Sequence, residues 1–486
     1  MESFIQFYQY AIFFYATILV VISLFLAFFG YLNTFKNKLK YTKVEENILL
    51  AHPEIAPPIS IVAGAYNEEV VVVDATRAFL DLEYPNFEVV IVNDGSKDDT
   101  LKLLIEAFDL IEVPHYIIEK VISQPIKRIY KSTNSLYRKL TIVDKKNGGT
   151  KADAMNAGLN IAKYDYFVNT DVDCILAKDT LSKVVLPVLD SKIPVIAVGG
   201  TMRMVNGCEI DRVQITRVRP PRSFFPIFQE TEYLRSYLIT KMGWAFFNAI
   251  PNVSGGFGLF DKKIVIAAGG YDGESHAEDM DMTLRMIAHM KDHNLPYKIV
   301  NTPHSCCWTE GPPNLKILYR QRSRWGRGLL QIFFVHHRFL FNKKYGRMGL
   351  VTLPYILIFE LLAPLIEILG FFLLLYLFFT SQINVKTFWL MFAYVYLIGL
   401  CISILTISLD FSVKKQYRTM FEYVQLIISS SLEAFLYHPF IIFFTLAGYI
   451  QLLTRKEFKW GQMTRKGFSQ TDKSATSDEK ANPPLS

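Results

Sequence analysis

Long apolar stretches near the two ends of the chain constrain its fold more than any other feature. Tyr10 to Leu32 is almost uninterrupted Ile, Phe, Leu, Val and Ala, which is long enough to cross a bilayer. Val351 to Thr380 and Val385 to Leu409 are similar, and Tyr423 to Leu453 is a fourth apolar region. Hydrophobic residues make up 51% of the sequence, a high share for a wholly soluble protein. We therefore predict a multi-pass membrane protein with α-helical spanning segments.

Basic residues beside these stretches predict the orientation. Lys36, Lys38 and Lys40 follow the first stretch, whereas a cleavable signal peptide has a shorter core with basic residues before it. The positive-inside rule then places the N-terminus outside and the next domain in the cytoplasm, at the cell (inner) membrane. Because basic residues flank the last apolar region on both sides, we predict a hairpin broken at Pro439. The net charge of +7 fits membrane flanks, and we expect no nucleic-acid partner.

The polar middle of the chain alternates predicted strands and helices. Ile59 to Ala63 and Phe87 to Val92 are predicted to be buried strands, and Val70 to Leu82 and Asp98 to Phe108 to be helices. This alternation predicts an α/β domain with a doubly wound, mostly parallel sheet covered on both faces. Ligands of such sheets bind beyond the carboxyl ends of the strands.

Acidic residues follow several of the predicted strands. Strand alternation points Asp171 and Asp173 the same way, and two such carboxylates repel each other unless a cation lies between them. Hard divalent ions such as Mg²⁺ or Mn²⁺ prefer oxygen ligands and bridge to phosphate. Taken alone, the pattern is equally typical of solvated turn aspartates. Since Glu68 and Asp94 also fall just past strand ends, we expect these acids to converge on one crevice.

Other motifs carry both a functional and an ordinary explanation. Glycines before Lys151 let the backbone approach a ligand where a helix N-terminus attracts phosphate. Glu278 and Asp279 precede a helical run, where paired acids are also typical of simple capping. A charged side chain within a membrane-spanning segment costs free energy. We therefore expect three acids in the apolar segments to face a polar lumen or to pair with a base: Glu360, Glu367 and Glu433.

Three stretches are predicted to lie near the membrane surface. Gln321, Arg324 and Trp325 share one helical face and suit a sugar ring with its phosphate, although a basic interfacial helix would look similar. Gln229 to Phe247 is amphipathic and aromatic, which is typical of an interfacial helix or of a packed core helix. Glu112 to Lys139 is basic and irregular, and is predicted to lie over the active face, against lipid headgroups or in solvent.

The composition shifts divide the chain into seven predicted parts. They are an N-terminal transmembrane helix (1–33), a basic linker (34–58), a catalytic domain (59–310), interfacial helices (311–348), C-terminal transmembrane helices (349–453), a basic cytosolic segment (454–468) and a disordered tail (469–486).

The motifs, in this order, resemble those of the processive family-2 glycosyltransferases: the cellulose, chitin, hyaluronan and poly-N-acetylglucosamine synthases. The resemblance runs from about Ile59 to Arg327, and the flanking apolar segments agree with it. The matching motifs are Tyr66-Asn67-Glu68, Asn93-Asp94-Gly95-Ser96, Lys151-Ala152-Asp153-Ala154, Asp171-Val172-Asp173, Glu278-Asp279 and Gln321-Arg322-Ser323-Arg324-Trp325. The residues that surround these motifs are most similar to those of the poly-N-acetylglucosamine synthase branch.

The resemblance implies a GT-A fold and a role for each matching residue. Nucleotide-sugar binding would fall to Tyr66, Glu68, Asp94, Lys151 and Asp171. Mg²⁺ or Mn²⁺ would be held by Asp171 and Asp173, and Asp279 would be the catalytic base. The diphosphate and the acceptor sugar would contact Gln321, Arg324, Trp325, Ser254 and Glu278. A weaker match suggests a gating segment at Trp460 and Arg465.

These expectations lead to a first hypothesis and two alternatives. The first is a membrane-embedded, inverting β-glycosyltransferase that polymerises a UDP-sugar, UDP-N-acetylglucosamine, and exports the polymer. Its partners would be the donor, the growing polysaccharide, the lipid bilayer and an accessory or export subunit. One alternative adds a single sugar to a lipid or saccharide acceptor. The other is a non-catalytic membrane scaffold that binds saccharide or nucleotide.

Overall fold

The computed structural model describes residues 2–211 and 213–455, with side chains from residue 10 onwards. Twelve strands occur in this part of the chain: β1 Ile59–Ala65, β2 Phe87–Asn93, β3 Leu110–Val113, β4 Ile126–Ser132, β5 Leu140–Lys145, β6 Tyr166–Asp171, β7 Ile175–Leu176, β8 Val195–Met204, β9 Glu209–Asp211, β10 Gln214–Arg217, β11 Phe257–Asp261 and β12 Lys298–Thr309.

The α-helices of the same part are α1 Glu2–Lys40, α2 Lys43–Ala51, α3 Val72–Leu80, α4 Thr100–Ala107, α5 Lys151–Ile161, α6 Thr180–Leu189, α7 Phe224–Arg235, α8 Lys241–Phe246, α9 Lys262–Ala267, α10 Glu278–Asp292, α11 Leu315–Val335, α12 Leu353–Ile356, α13 Ala363–Phe379, α14 Val385–Val413, α15 Met420–Leu436 and α16 His438–Leu453. Three π-helical turns interrupt the regular helices, at Ser236–Thr240, Met348–Thr352 and Leu357–Leu361.

Ten of the strands form one mixed sheet in the order β3-β4-β5-β2-β1-β6-β11-β8-β12-β7. The central strands β5, β2, β1 and β6 all run parallel, so their carboxyl ends meet at one edge. In register, Gly64 of β1 pairs with Asp171 of β6, and Ala65 pairs with Asn93 of β2. The sheet therefore brings the turns after β1, β2 and β6 together, as the alternation of strands and helices predicts.

Both faces of the sheet are buried, which confirms the doubly wound architecture. Val62 and Phe167 pack on one face with α5 and α10, whereas Ile61 and Val168 pack on the other with α3, α4 and α6. Neighbouring residues of a strand point to opposite faces, so these near-continuous apolar strands cover both layers. At Gly158 of α5 an added Cβ would lie 2.3 Å from the Val62 side chain, so this helix sits directly on the sheet.

Three described helices are long and apolar enough to cross a membrane: Tyr10–Lys40, Met348–Phe379 and Val385–Val413. The helices α15 and α16 pass the same test only as a pair, with a bend of 52° between them. The pair is a broken span or a re-entrant segment, and only a re-entrant segment would return to the same side of the membrane. The hairpin at Pro439 therefore stays a prediction. Pro439 in the first turn of α16 explains why the helix restarts there.

The stretch from Gln229 to Phe247 is a packed element between the sheet and the membrane helices. It consists of α7, a π-helical turn and α8, and most of its residues are buried. The Thr34 hydroxyl of α1 donates a hydrogen bond of 3.0 Å to the carbonyl of Leu238, and the Asn33 amide donates one of 2.9 Å to that of Met242. Of the two predictions for this stretch, the packed helix is the one observed.

Residues 112–139 are more regular than predicted, because β4 pairs antiparallel with β3 and β5 at the edge of the sheet.

The three acids within the apolar segments have basic partners or line a cavity, as the free-energy cost of a charge in the membrane predicts. The Glu367 carboxylate lies 2.7 Å from His438, and that of Glu433 accepts hydrogen bonds of 2.5 and 2.7 Å from Arg235. Glu360 lines a cavity that reaches into the membrane segment.

Candidate active site

The sheet edge with the converging turns opens into a cavity of about 950 Å³. Its walls come from the turns after β1, β2 and β6, from the N-termini of α5 and α10, and from α11. Every predicted site residue in the described part of the chain lines this cavity: Tyr66, Glu68, Asp94, Lys151, Asp171, Asp173, Ser254, Glu278, Asp279, Gln321, Arg324 and Trp325. The predicted gating residues Trp460 and Arg465 lie outside the described residues.

The turns after β1 and β2 are tied to each other by hydrogen bonds. The backbone N–H of Asn67 donates to the hydroxyl of Ser96 at 3.0 Å, and the N–H of Glu68 donates to that of Thr100 at 2.9 Å. Asn67 has a φ of 55°, a left-handed conformation that asparagine tolerates better than most residues. These bonds hold Tyr66 and Glu68 at the mouth of the crevice.

Asp94 is a buried anchor of the site. Its carboxylate pairs with Lys145 and accepts a hydrogen bond of 3.0 Å from the N–H of Gly148. The Asn147 amide donates to the Asp94 carbonyl at 2.6 Å. Burial raises the pKa of the Asp94 carboxyl, although Lys145 works in the opposite direction. This carboxylate therefore fixes the glycine turn that leads into α5.

Lys151 opens α5 beside the aspartates of β6. Thr150 caps the helix, and its hydroxyl accepts a hydrogen bond from the N–H of Asp153. The Lys151 ammonium pairs with Asp171 and donates a hydrogen bond of 2.6 Å to the carbonyl of Gly255. Burial lowers the pKa of Lys151, but the negative charges of Asp171 and Glu278 outweigh it and raise the pKa overall. The lysine therefore stays charged at a helix N-terminus, where anions are attracted.

Asp171, Asp173 and Cys174 carry ligand atoms within 4.8 Å of one another. Asp171 keeps 35% of its side chain exposed, so its carboxylate can reach a ligand in the cavity. A hard divalent cation takes oxygen ligands and leaves places for phosphate and water. Two carboxylates at the cavity wall fit such an ion, while the buried Cys174 thiol is a ligand that softer metals prefer.

The acids at the start of α10 divide between the cavity and the core. The Asp279 carboxylate accepts hydrogen bonds from the N–H of Met280 at 2.8 Å, the N–H of Gly255 at 3.2 Å and the Asn252 amide at 3.4 Å. Asp281 instead binds Arg285 and His336 in the core. The N-cap residue Ala277 makes no side-chain cap, so Asp279 satisfies one free N–H of the first turn and at the same time lines the cavity.

Glu278 is buried beside Asp279. Burial raises the pKa of its carboxyl, with Arg324 opposing and Asp279 reinforcing that shift. The Arg324 guanidinium lies 3.9 Å from the Glu278 carboxylate. This pair therefore joins the start of α10 to the arginine of α11 at the cavity wall.

The helix α11 holds Trp325 against a buried ion pair. The Arg322 guanidinium lies 4.4 Å from the centre of the Trp325 ring, and it donates hydrogen bonds of 2.7 and 2.5 Å to the Glu232 carboxylate. Close packing on α16 fixes the helix, since a Cβ at Gly448 would lie 2.2 Å from the carbonyl oxygen of Ser323. The Trp325 indole is therefore held in place by Arg322, which the ion pair with Glu232 fixes.

Lys241 is a cavity residue that the sequence predictions missed. It follows the π-helical turn Ser236–Thr240 and lines the same cavity as Asp279 and Trp325. It lies in an apolar and aromatic stretch, which the periodicity presents as a packed or interfacial helix. The signal that could have revealed it is a single lysine inside that stretch, because lysine is rarely buried without a function or a partner.

Comparisons with known proteins agree with this site. Residues 60–265 match the family model described as glycosyl transferase family 2, and residues 218–403 match that described as glycosyl transferase family group 2. The poly-beta-1,6-N-acetyl-D-glucosamine synthase of Staphylococcus epidermidis is 27% identical over 271 residues, which are 56% of this chain and 54% of that protein. The same enzyme from Staphylococcus aureus (strain COL) is 26% identical over 321 residues, 66% of this chain and 64% of the relative.

The chain thus spans just over half to under two thirds of these relatives. Among solved structures, the mannosyltransferase PcManGT from Pyrobaculum calidifontis, in complex with GDP-Man and Mn²⁺, aligns with 89% of this chain and 100% of its own at 18% identity, with a TM-score of 0.44. The two family matches together run from residue 60 to residue 403, across the sheet, the cavity and the first membrane helices that follow it. The two family matches thus identify a glycosyltransferase that resembles the poly-β-1,6-N-acetyl-D-glucosamine synthases, and its mixed, mostly parallel sheet agrees with a GT-A fold.

Proposed function

We propose that this glycosyltransferase polymerises UDP-N-acetylglucosamine into a β-linked polysaccharide at the membrane. One observation carries the proposal: a single cavity connects Asp171 and Asp173 with Asp279, Trp325 and the membrane-segment residue Glu360. A polysaccharide that is extended beside Asp279 would have a continuous path from there towards the bilayer. The similarity to poly-β-1,6-N-acetylglucosamine synthases supports N-acetylglucosamine as the sugar.

The donor side of the cavity suits a nucleotide diphosphate. Asp171 and Asp173 would hold Mg²⁺ or Mn²⁺, and Tyr66, Glu68 and Asp94 would border the nucleoside. When bound, the divalent ion neutralises the diphosphate and makes it a better leaving group. Lys151 adds a fixed positive charge beside Asp171, and Arg324 supplies planar donors that match phosphate geometry.

The acceptor side supplies a base and a stacking surface. The Asp279 carboxylate would take the proton from the attacking hydroxyl, which is a poor nucleophile while protonated. Trp325 would stack against the apolar face of the acceptor sugar, with Gln321 and Ser254 as polar neighbours in the same cavity. A single displacement requires no covalent intermediate, and it would convert an α-linked donor into a β-linked product.

The same proposal assigns a place in the cell. Basic residues after the first span support a cytoplasmic catalytic domain, and UDP-sugars would reach the cavity from that side. The polymer would leave through the membrane helices beside Glu360, where an accessory or export subunit could receive it.

Purified protein with Mn²⁺ and radiolabelled UDP-sugars tests the proposal. We expect UDP release and a polymer from UDP-N-acetylglucosamine, resolved by length on a sizing gel and identified by linkage analysis. Asp279→Asn should stop synthesis and leave UDP binding largely intact. Asp292→Asn, the same change at the other end of α10, is the matched control and should retain synthesis. Products that contain a single added sugar would contradict polymerisation. Synthesis by the Asp279→Asn variant would show that Asp279 is not the catalytic base.

A further inference from the structure

Lys241 is a buried lysine that lines the cavity. The residue is 8% exposed and begins α8, directly after the π-helical turn Ser236–Thr240. Within residues 2–211 and 213–455, no carboxylate lies within 4.0 Å of its Nζ atom, and its contact is with the Tyr237 ring at 4.6 Å. Burial of an unpaired charge is costly, so such a group calls for a ligand.

The other buried lysines of the described chain show what is missing here. Lys145 pairs with Asp94 and Asp153. Lys183 lies 2.5 Å from the Asp179 carboxylate, and Lys262 donates a hydrogen bond of 2.6 Å to the carbonyl of Ala162. Each of these ammonium groups has at least one oxygen partner from the protein. Lys241 lines the cavity instead, where a bound molecule can supply the oxygens.

The carboxylate that interacts electrostatically with Lys241 indicates on which side of the cavity this lysine lies. Asp279 is the carboxylate that acts on Lys241, whereas Lys151 is acted on by Asp171 and Glu278. Burial lowers the pKa of Lys241 to about 8, with the charge of Asp279 opposing that shift, so the ammonium form predominates at pH 7. Lys151 thus belongs to the donor side and Lys241 to the side of the base.

Helix geometry at this point aims several residues at the same space. The π-helical turn Ser236–Thr240 adds a residue to the normal turn, a feature that is frequent at functional sites. Tyr237, Lys241 and Trp244 all line the cavity as a result. An aromatic ring beside an ammonium is a common arrangement for holding a sugar, since the ring packs on C–H groups and the ammonium donates up to three hydrogen bonds.

We propose that Lys241 is an acceptor-binding residue, whose ammonium donates hydrogen bonds to oxygens of the saccharide that Asp279 activates. This inference rests on the proposed function, because it requires a saccharide acceptor on the Asp279 side. It also gives the buried charge a partner during turnover, which residues 2–211 and 213–455 do not provide. Lys241 would then help to hold the acceptor and leave donor binding to the opposite wall.

Steady-state kinetics with a β-1,6-linked N-acetylglucosamine tetrasaccharide as the acceptor tests the inference. Lys241→Met keeps the length of the side chain and removes its donors. We expect the KM for the tetrasaccharide to rise about tenfold, the scale of a lost hydrogen bond to a charged group, with the KM for UDP-N-acetylglucosamine within twofold of wild type. Lys241→Arg should recover much of the acceptor affinity, which a merely structural role would not require.

Lys262→Met is the matched control, since Lys262 is equally buried but does not line the cavity. UDP binding measured by titration shows that each variant is folded, and Lys241→Gln replaces Lys241→Met if the latter binds no UDP. An unchanged KM for the tetrasaccharide in a folded Lys241 variant would overturn the inference, as would equal losses in the KM values of donor and acceptor. Failure of the wild-type enzyme to transfer sugar to any saccharide would instead overturn the proposed function.

Discussion

The buried pair of Arg322 and Glu232 gives the sharpest test of how the cavity wall is held. Arg322 is 4% exposed, and its guanidinium donates to both Glu232 carboxylate oxygens and to the Tyr437 hydroxyl at 2.7 Å. Removing one partner of a buried ion pair costs about 3–5 kcal/mol, because the other charge remains stranded. Glu232 keeps 30% of its side chain exposed, so water solvates part of that charge. We therefore expect Arg322→Met to lose about 3 kcal/mol of unfolding free energy.

A milder substitution separates stability from function. Arg322→Lys keeps the charge but not the planar fork, so it loses one carboxylate bond and the contact with Trp325, at a cost of about 1–2 kcal/mol. The indole then has less backing, and we expect the KM for the acceptor saccharide to rise while the KM for the UDP-sugar stays unchanged. Arg285→Lys is the control, since the Arg285 guanidinium also pairs with a buried carboxylate, that of Asp281, to which its Nε donates at 2.9 Å.

Unfolding titrations in mixed detergent micelles supply the free energies, and a double-mutant cycle supplies the coupling. We expect the combination of Arg322→Met with Glu232→Gln to cost about 2 kcal/mol less than the sum of the single variants, since the double variant strands neither charge. Strictly additive free energies would refute the pairing. A change in the donor KM with a normal acceptor KM would refute the role of Arg322 behind the indole.

Three further predictions concern the metal, the pH dependence and the packing of the membrane helices. Chelation should abolish synthesis and added Mn²⁺ should restore it, with Asp173→Asn raising the half-activating Mn²⁺ concentration by at least about tenfold in metal titrations. The KM for the acceptor should rise as the pH passes about 8, because Lys241 loses its proton there, whereas the pKa of the neighbouring Tyr237 hydroxyl is raised well above its usual value; Lys241→Arg should remove that rise. Gly448→Val should destabilise the protein, since a Cβ there would lie 2.2 Å from a carbonyl oxygen of α11, and thermal unfolding in detergent measures the loss.

The convergence of the acidic turns on one edge of the sheet could be predicted because it depends on local rules. Residues that follow parallel strands reach the same sheet edge, and the β1–β6 register places Gly64 beside Asp171 as those rules require. Lys241 could not be predicted in this way. Its position depends on a π-helical turn and on the packing of α8 against α1, and neither has a clear signature in the order of residues.

The errors arose where pairing partners lie far apart in the sequence. Within residues 112–139, β4 forms a strand between β3 and β5 because it pairs with both, although the basic composition of this stretch is typical of a loop. The course of the chain at Pro439 could not be fixed from the sequence, because a proline in the first turn permits a bent continuation as readily as a reversal. Which course a broken helix takes is decided by its packing, here of α16 on α11.

The helix α7 shows why the cavity can be continuous from the sheet to the membrane. Its Glu230 accepts a hydrogen bond of 3.0 Å from Arg203 of β8, whose guanidinium also donates to Asp410 of α14 at 2.7 Å. Its Arg235 reaches Glu433 of α15 at 2.7 Å. Buried ion pairs add little net stability, because desolvation offsets their attraction, but they have strict requirements for geometry. They therefore fix the register between the catalytic sheet and the membrane helices, and a shift between these two layers would break the path from Asp279 to Glu360.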